Sequence, residues 1–501
     1  MALTLVAFIA ISLAYETREL SVFADYARND ANEPIPDSNA SIDNDIHNDT
    51  QQHRSRTRRF DETIQALESL DLRFYMYSDP NITRDDIHNR VFTIRTKQKA
   101  RTMFMSDARA EIDIIRTLAA HPLRTSDPKN ASIFVIPISS AAHIVRREKR
   151  SWRNAITFLT ETPLFRHTGG NRHFMVSLSQ QAFDYGSIKY SRFFGMDLQM
   201  YARLQNITVA RESDPFESVA MAERGEGGDF AQLFREKAPV TSHAFSIGLM
   251  MCMNNASHSN RGRGHNALQY QPATYDKLER SSNFLFYQTR QEGSGFNSTI
   301  YRHVLVNATM NDKNNNSNNN NISSSTSFVP FNNDHHNSTA VISSGRLPRS
   351  IIGIGDLQAD EWAASFSDSK FCLAVRGDTP HTHALLRAVQ VGCIPVVVSE
   401  YYERYSPTFR SLVRMDDYVV MVDEHRFVED PIGTLVSDLV GLSEESIRTK
   451  LEGLRYAQRI MLMDHPESLF VPALLYAANH EMETVRGTNL SDVWYRADNP
   501  G

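Results

Sequence analysis

The chain has 501 residues, of which 41% are hydrophobic, and this is enough to bury two ordinary cores. Its formal net charge of −6 gives no reason to expect nucleic acid as a partner, and three cysteines are too few for a disulfide scaffold. We therefore expect a globular protein with two domains.

The N-terminal segments are not expected to contribute to a core. Residues 1–15 are apolar but shorter than the about 20 residues that a membrane-spanning helix needs, so they predict a signal peptide or a truncated membrane anchor. Residues 16–61 are polar and are predicted to form a disordered stem. The basic run Arg54–Arg59 within it is typical of a solvated patch, with proteolytic processing as the alternative.

Asn-X-Ser/Thr triplets are spread along the chain and indicate a secretory compartment, where N-linked glycans are added. Because glycans sit on surfaces, we expect these asparagines to be exposed. They are Asn39, Asn48, Asn81, Asn130, Asn206, Asn255, Asn297, Asn307, Asn315, Asn321, Asn337 and Asn489.

Residues 62–265 are predicted to form a first α/β domain. Its predicted strands are Arg73–Tyr77, Ser132–Ile138 and His173–Leu178, and the second of these is almost entirely apolar, as in a buried parallel sheet. Ala110–Leu118 is predicted to be a helix that packs its apolar face on this sheet.

Residues 266–475 are predicted to form a second α/β domain, followed by a tail over 476–501. Asn283–Tyr287 is its first predicted strand, and Ser443 is the predicted N-cap of a late helix. The Asn-rich residues 311–337 cannot supply a core and are predicted to be a disordered insertion.

A strand–helix–strand unit is predicted within KFCLAVRGDTPHTHALLRAVQVGCIPVVVS, residues Lys370–Ser399. Its strands are Phe371–Val375 and Ile394–Val398, and its length suits a parallel crossover. Thr379 is the predicted N-cap of the helix, and Gly392 is expected to end it.

The turn that follows the first of these strands predicts an anion site. Arg376 and Gly377 bring a cation and accessible backbone N–H groups to a helix N-terminus, where the helix dipole favours negative charge. A phosphate-bearing ligand is therefore expected, with an ordinary capped turn as the alternative. Cys372 and Cys393 flank the unit, and we interpret them as buried free thiols.

This unit resembles the core of the exostosin-like glycosyltransferases, on the pattern S-K-F-C-L-x-x-R-G-D-T-P followed by G-C-I-P-V-V-V-S-E. Weaker similarity over residues 70–470 includes LRFYMYSDP, HPLRTSDPKNASIFVIPIS and HFMVSLSQQAFDYG. The resemblance implies the GT-B fold, in which two Rossmann-like domains face a cleft. Residues 62–265 would be the acceptor side and residues 266–475 the nucleotide-sugar side.

The resemblance also implies an activity. The protein would transfer a sugar from a nucleotide-sugar donor, expected to be a UDP-sugar, to a glycan or glycoprotein acceptor. The reaction would be inverting and metal-independent, would need no cofactor, and would take place in the Golgi or another secretory lumen. The membrane would be involved only through an N-terminal anchor.

The resemblance assigns site residues at the strand ends of the second domain. The implied nucleotide-sugar-binding residues are Arg290, Arg302, Arg376, Gly377, Asp378, Thr379 and Glu400. The implied catalytic base is Asp184, with Glu111 as a weaker candidate because it is expected on a helix surface.

Two residues depart from the family pattern. Ala384 and Arg387 stand where the family has an arginine and an acidic residue. An alternative function is therefore a catalytically inactive protein that binds a glycan or a nucleotide sugar. A third interpretation, an adhesion protein that presents Arg376-Gly377-Asp378, is disfavoured because strand and helix bracket that triplet closely.

Overall fold

The structure is a computed structural model. It describes residues 42–92, 99–178, 204, 206–211, 244–247, 268–289, 303–309, 338–342, 347–354, 359–376, 382–399, 402 and 408–485. Residues 1–59 form one compact unit and residues 60–501 another. Both β-sheets belong to the second unit, so the division into domains at residue 265 stays a prediction.

A long helix, α1 (Ile42–Glu68), begins the described part of the chain. Phe60 and Leu67 are buried at helical spacing, and the ring of Phe60 stacks on that of Tyr456 with centroids 4.4 Å apart. Residues 42–61, which were predicted to belong to a disordered stem, are helical in the structure. No helix of the described residues has both the length and the apolar character needed to span a bilayer.

Six described strands form the first sheet, and each neighbouring pair is parallel. In chain order they are β1 (Phe74–Met76), β2 (Arg124–Thr125), β3 (Ile133–Ile136), β4 (His173–Val176), β5 (Thr208–Arg211) and β6 (Ala244–Ser246). The order across the sheet is β2-β1-β3-β4-β5-β6. The helices of this part are α2 (Pro80–Thr83), α3 (Asp85–Phe92), α4 (Lys99–Ala120), α5 (Ser140–Arg146), α6 (Lys149–Glu161) and α7 (Pro163–Thr168).

The central strands of this sheet are buried on both faces. Every residue of β3 and β4 is buried, as expected for a parallel sheet covered by helices on each side. The three strands predicted here are confirmed, each somewhat shorter than predicted. The predicted helix is also confirmed, but α4 is much longer than the predicted span.

The second sheet also contains six described strands, in the order β12-β11-β10-β7-β9-β8. All neighbouring pairs are parallel except β8 with β9, at one edge. The strands are β7 (Asn283–Thr289), β8 (Ser338–Ile342), β9 (Ser350–Ile354), β10 (Ser369–Val375), β11 (Ile394–Val398) and β12 (Val420–Val422).

Helices accompany these strands along the chain and continue after them. They are α8 (Tyr275–Arg280), α9 (Ala359–Ser367), α10 (His383–Gln390), α11 (Glu424–Glu429), α12 (Pro431–Leu435), α13 (Glu444–Met461) and α14 (Phe470–His480). The Ser443 hydroxyl accepts a hydrogen bond from the backbone N–H of Ser446, so the predicted N-cap of α13 is confirmed. The α/β class and two mainly parallel sheets are consistent with a GT-B-like fold. The Asn-rich insertion lies outside the described residues.

The predicted strand–helix–strand unit is confirmed as β10, α10 and β11, with both strands parallel. The helix starts later than predicted, because its N-cap is Thr382, whose hydroxyl accepts from the N–H of Ala384. The predicted cap, Thr379, lies outside the described residues. Gly392 follows the helix with a φ of +62°, as predicted for its end. A Cβ atom at Gly392 would lie 2.9 Å from the backbone of Ala273, so a side chain is excluded there.

Cys372 and Cys393 form a disulfide, with their Cα atoms 5.9 Å apart. The interpretation as free thiols is therefore wrong. The register explains the difference: Cys372 lies in β10, while Cys393 immediately precedes the neighbouring strand β11, whose first residue Ile394 pairs with Phe371.

Two buried polar side chains join distant parts of the compact unit formed by residues 60–501. Gln458 of α13 accepts from the N–H of Ala273 and donates to the carbonyls of Gln271 and Val389. Arg172, which is only 1% exposed, contacts three segments: its Nε donates to the carbonyl of Ser132, and its terminal nitrogens contact Asn479 and Glu483.

The contacts of Arg172 attach the end of the described chain to the first sheet. Arg172 directly precedes β4, Asn479 belongs to α14, and Glu483 belongs to the π-helical turn Glu481–Val485. Both Asn479 and Glu483 lie in the predicted tail over 476–501, so the described part of that tail, residues 476–485, makes this contact.

Candidate functional site

The strand order of the second sheet defines a position for a ligand. After β7 the chain forms β8 and β9 on one side of that strand and then β10 on its other side, so the order reverses between β7 and β10. In open α/β sheets, ligands bind outside the carboxyl ends of the strands at this reversal. These two strands end at Thr289 and Val375. The sequence-predicted Arg290 and Arg376 each follow one of those ends directly.

Arg376 lies at this reversal but is 2% exposed and ion-paired. Its Nε donates to Glu424 Oε1 at 2.7 Å, and a terminal nitrogen contacts the same oxygen at 2.7 Å. Its backbone N–H donates to the carbonyl of Val398, the last residue of β11. The guanidinium is thus fixed at the carboxyl edge of the sheet by a carboxylate that follows β12.

Polar groups surround this position on the neighbouring elements. Ser399, which follows β11, is 1% exposed, and its hydroxyl has no hydrogen-bond partner within the described part of the chain. The helix α10 of the crossover unit begins after β10, with Thr382 as its cap. A helix N-terminus and a hydroxyl are suitable donors for a phosphate.

Arg387, one of the two residues that depart from the family pattern, packs against a nearby aromatic ring. The guanidinium of Arg387 lies over the ring of Trp362, with its central carbon 5.3 Å from the ring centroid. This cation therefore packs against α9. Ala384 is the other residue that departs from the family pattern, and its backbone N–H donates to the capping hydroxyl of Thr382.

Most of the predicted site residues lie outside the described residues. They are Asp184, Arg290, Arg302, Gly377, Asp378, Thr379 and Glu400. Their roles therefore stay predictions, and Arg376 is the predicted nucleotide-sugar-binding residue whose surroundings the structure describes.

Comparison with known protein families places a domain on this part of the chain. Residues 259–439 match the Exostosin GT47 domain. The predicted resemblance to the exostosin-like family is confirmed over these residues. No curated protein matches the chain.

The Exostosin GT47 domain match covers all six described strands of the second sheet, from β7 to β12. It also includes Glu424 and every predicted nucleotide-sugar-binding residue. The match supports a glycosyltransferase, with a nucleotide-sugar donor and a glycan acceptor at that general level. Asp184 and the first sheet lie before its first residue.

At the carboxyl edge of the first sheet, Glu111 of α4 is completely buried. Its Oε2 accepts from Ser139 Oγ at 2.5 Å and from the N–H of Ala141 at 3.0 Å. Its Oε1 accepts from Ser140 Oγ at 3.0 Å and from the N–H of Leu178 at 2.7 Å. The expectation that Glu111 lies on a helix surface is therefore wrong, because both faces of α4 are covered here.

Glu111 holds two strand ends together. Ser139 and Ser140 follow β3, and Leu178 follows β4, two residues after its end. The hydroxyls of Ser140 and Ser177 are also hydrogen-bonded, with the oxygens 2.7 Å apart. With four donors around its carboxylate, Glu111 fixes both loops.

Burial also sets the protonation of this cluster. Desolvation raises the pKa of Glu111 to about 7, against the four hydrogen bonds, which lower it. His88 accepts from the N–H of Ser139, and His143 Nδ1 contacts the carbonyl of Ser139. Desolvation lowers the pKa of His88 and of His143 to about 4, so both are neutral near pH 7. Of these three side chains, the carboxyl group of Glu111 is therefore the one that changes its charge near pH 7.

Two functional contacts were not predicted from sequence. Glu424, the partner of Arg376, follows Val420–Val422 with Asp423 between them, and acidic residues after a short apolar run were the available signal. The serines around Glu111 gave no such signal, since each Ser alone is common in loops. Among the described residues, no group of three or more His, Cys, Asp or Glu side chains is placed to hold a metal ion.

Proposed function

We propose that the protein is an inverting glycosyltransferase that uses a nucleotide-sugar donor, expected to be a UDP-sugar, and a glycan acceptor in a secretory lumen. The donor diphosphate would lie outside the carboxyl ends of β7 and β10. The observation that carries this proposal is the strand-order reversal within the Exostosin GT47 domain match, with Arg290 and Arg376 directly after the two strands.

The proposed reaction needs charge stabilisation on the leaving group. As the acceptor oxygen forms a bond to the anomeric carbon of the sugar, the bond from that carbon to the diphosphate breaks, and negative charge develops on the nucleotide diphosphate. Arg290 would contact that charge directly. Arg376, paired with Glu424, would contribute chiefly by holding the strand end and the N-terminus of α10 in place.

Asp184 would remove the proton from the acceptor hydroxyl. It follows Leu178 in the sequence, and the backbone of Leu178 is anchored by Glu111. Glu111 would therefore position the start of the segment that carries the base. The two domains would enclose the reactants between them, as in a GT-B arrangement, with no cofactor and no metal ion.

The catalytically inactive alternative is favoured by one observation. Arg376 is committed to a buried ion pair and Arg387 packs on Trp362, so two arginines of the donor region have protein partners. A protein of this kind would bind a nucleotide sugar without releasing the nucleotide diphosphate.

Thermal unfolding of the full chain with a panel of UDP- and GDP-sugars tests donor binding. We expect at least one of them to raise the midpoint and Arg290→Ala to abolish that rise. Arg280→Ala is the matched control, because Arg280 is an exposed arginine that precedes the amino end of β7. No stabilisation by any sugar nucleotide contradicts the proposal, and an unchanged shift in Arg290→Ala places the ligand elsewhere.

Turnover separates the enzyme from its alternative. The sugar nucleotide that stabilises the chain is incubated with it and with mixed glycan acceptors, and release of the nucleotide diphosphate is measured. Release that is lost in Asp184→Asn supports the transferase. Binding without release supports the inactive alternative.

A further inference from the structure

The glycosylation triplet at Asn130 differs from the other triplets whose side chains the structure describes. In three of them the hydroxyl residue is buried: Thr83 is 9%, Thr208 0% and Thr309 4% exposed. At Asn130 the asparagine is exposed and the hydroxyl residue, Ser132, is partly exposed. Both groups that an N-glycosylating enzyme reads therefore remain accessible in the folded chain.

The local structure around Asn130 suits a modified amide. Asn130 ends a short 3-10 turn that begins at Pro128 and is capped by Asp127, which accepts from the N–H of Lys129. The Asn130 amide donates one of its two N–H bonds to Asp127 Oδ2 at 3.1 Å. A sugar that replaces the other hydrogen leaves this contact intact.

Asn130 also lies at the opposite edge of the first sheet from the loops that Glu111 anchors. It precedes β3, so it is at the amino edge, whereas Glu111 and its serines gather at the carboxyl edge. Asn81 is exposed too, but it follows β1 at the carboxyl edge. A bulky glycan at Asn130 is therefore compatible with ligand binding at the strand ends.

The disulfide supplies a second, independent observation about the compartment. Cys372 and Cys393 are paired although each is completely buried. Protein disulfides form and persist in oxidising environments, and the secretory lumen is both oxidising and the site of N-glycosylation. The disulfide thus indicates a secretory compartment independently of the glycosylation triplets.

We propose that Asn130 carries an N-linked glycan in the mature protein, which goes beyond the proposed transferase activity. In the modification, the Asn130 Nδ2 forms a bond to the anomeric carbon of an oligosaccharide esterified to a lipid diphosphate. The bond from that carbon to the diphosphate oxygen breaks, the lipid diphosphate leaves with the electron pair, and Nδ2 loses one proton to a base of the modifying enzyme. The co-reactant is the lipid-linked oligosaccharide.

Site-specific mass spectrometry tests the proposal. The full chain is directed into the secretory pathway of eukaryotic cells by an added cleavable leader, purified, and treated in ¹⁸O water with an amidase that converts glycosylated asparagine to aspartate. We expect the peptide that contains Asn130 to carry the label in most molecules.

Two variants make the result specific. Ser132→Ala removes the hydroxyl, keeps Asn130, and is expected to abolish the label, while Ser132→Thr is expected to retain it. The Cys372–Cys393 disulfide peptide, recovered from the same sample, confirms that the protein analysed is folded. An unlabelled Asn130 in that folded protein, or a label that persists in Ser132→Ala, overturns the proposal.

Discussion

Arg376 and Glu424 pair across an intervening strand. Arg376 follows β10 and Glu424 follows β12, while β11 lies between those two strands in the sheet. The side chains are 3% and 6% exposed, so both charges are largely removed from water. Such a pair fixes the relative positions of strand ends, and its loss leaves one charge buried without its partner.

We expect Glu424→Ala and Arg376→Ala each to lower the free energy of unfolding by about 3–5 kcal/mol, because each leaves a buried charge behind. The double variant Arg376→Ala, Glu424→Ala is expected to lose less than the sum of the single losses, because neither charge is left buried alone. Urea unfolding of the wild type, the two single variants and the double variant completes a double-mutant cycle. Strictly additive losses would show that the pair does not couple.

Glu111 is expected to make stability depend on pH. Its folded pKa of about 7 lies above its ordinary value of 4.5, so the folded state binds more protons than the unfolded state between those pH values. The free energy of unfolding therefore falls as pH rises through this window, by roughly 3 kcal/mol. The difference in that free energy between the wild type and Glu111→Gln, followed from pH 4 to 8, isolates this contribution.

An exposed carboxylate provides the comparison for Glu111. Glu445→Gln, in the first turn of α13, changes the same functional group on the surface. It is expected to leave the pH profile of unfolding nearly unchanged. If the free energy of unfolding depends on pH in the same way in the wild type and in Glu111→Gln from pH 4 to 8, the raised pKa assigned to Glu111 is contradicted.

The disulfide is expected to stabilise the second sheet. Cys372 and Cys393 are separated by 21 residues, and closing a loop of this size stabilises a protein by about 3 kcal/mol through the unfolded state. Cys372→Ala with Cys393→Ala should lose about that much under oxidising conditions. Added reductant should lower the wild-type midpoint and leave the double variant unaffected. A wild type insensitive to complete reduction would contradict this prediction.

Gln458→Leu is expected to lower the free energy of unfolding by about 2–4 kcal/mol, because the carbonyls of Gln271 and Val389 and the N–H of Ala273 lose their partner. Chemical denaturation measures the loss. Arg455→Leu, at an exposed position of the same helix, is the control and is expected to change stability by less than about 0.5 kcal/mol.

The elements that the sequence predicted correctly are those with a local signal. The apolar runs that became β3, β4 and β11 are too regular to be loops, and Gly392 adopts the positive φ that ends a helix. The late helix was found because Ser443 and the spacing of its apolar residues agree. In each case the deciding residues lie within one element or next to it.

Three contacts that local patterns did not predict join residues far apart in the chain. Glu111 is buried by Ser139 and Leu178, 28 and 67 residues away, and helical periodicity cannot reveal those partners. The pairing of Cys372 with Cys393 depends on strand register, and the pairing of Arg376 with Glu424 depends on strand order. Sheet topology decides all three, and a local pattern does not encode it.

The anchoring of α14 bears on the order in which the newly made chain acquires its structure. Arg172 has no Asn479 or Glu483 to bind, and β5 lacks its contact with α14, until the ribosome has delivered nearly the whole polypeptide. The amino-terminal half therefore cannot complete its packing, and part of its apolar surface stays exposed, while the Exostosin GT47 domain is translated. Premature termination before α14 would consequently leave apolar surface exposed in the half that is synthesised first, and such products should be bound by chaperones.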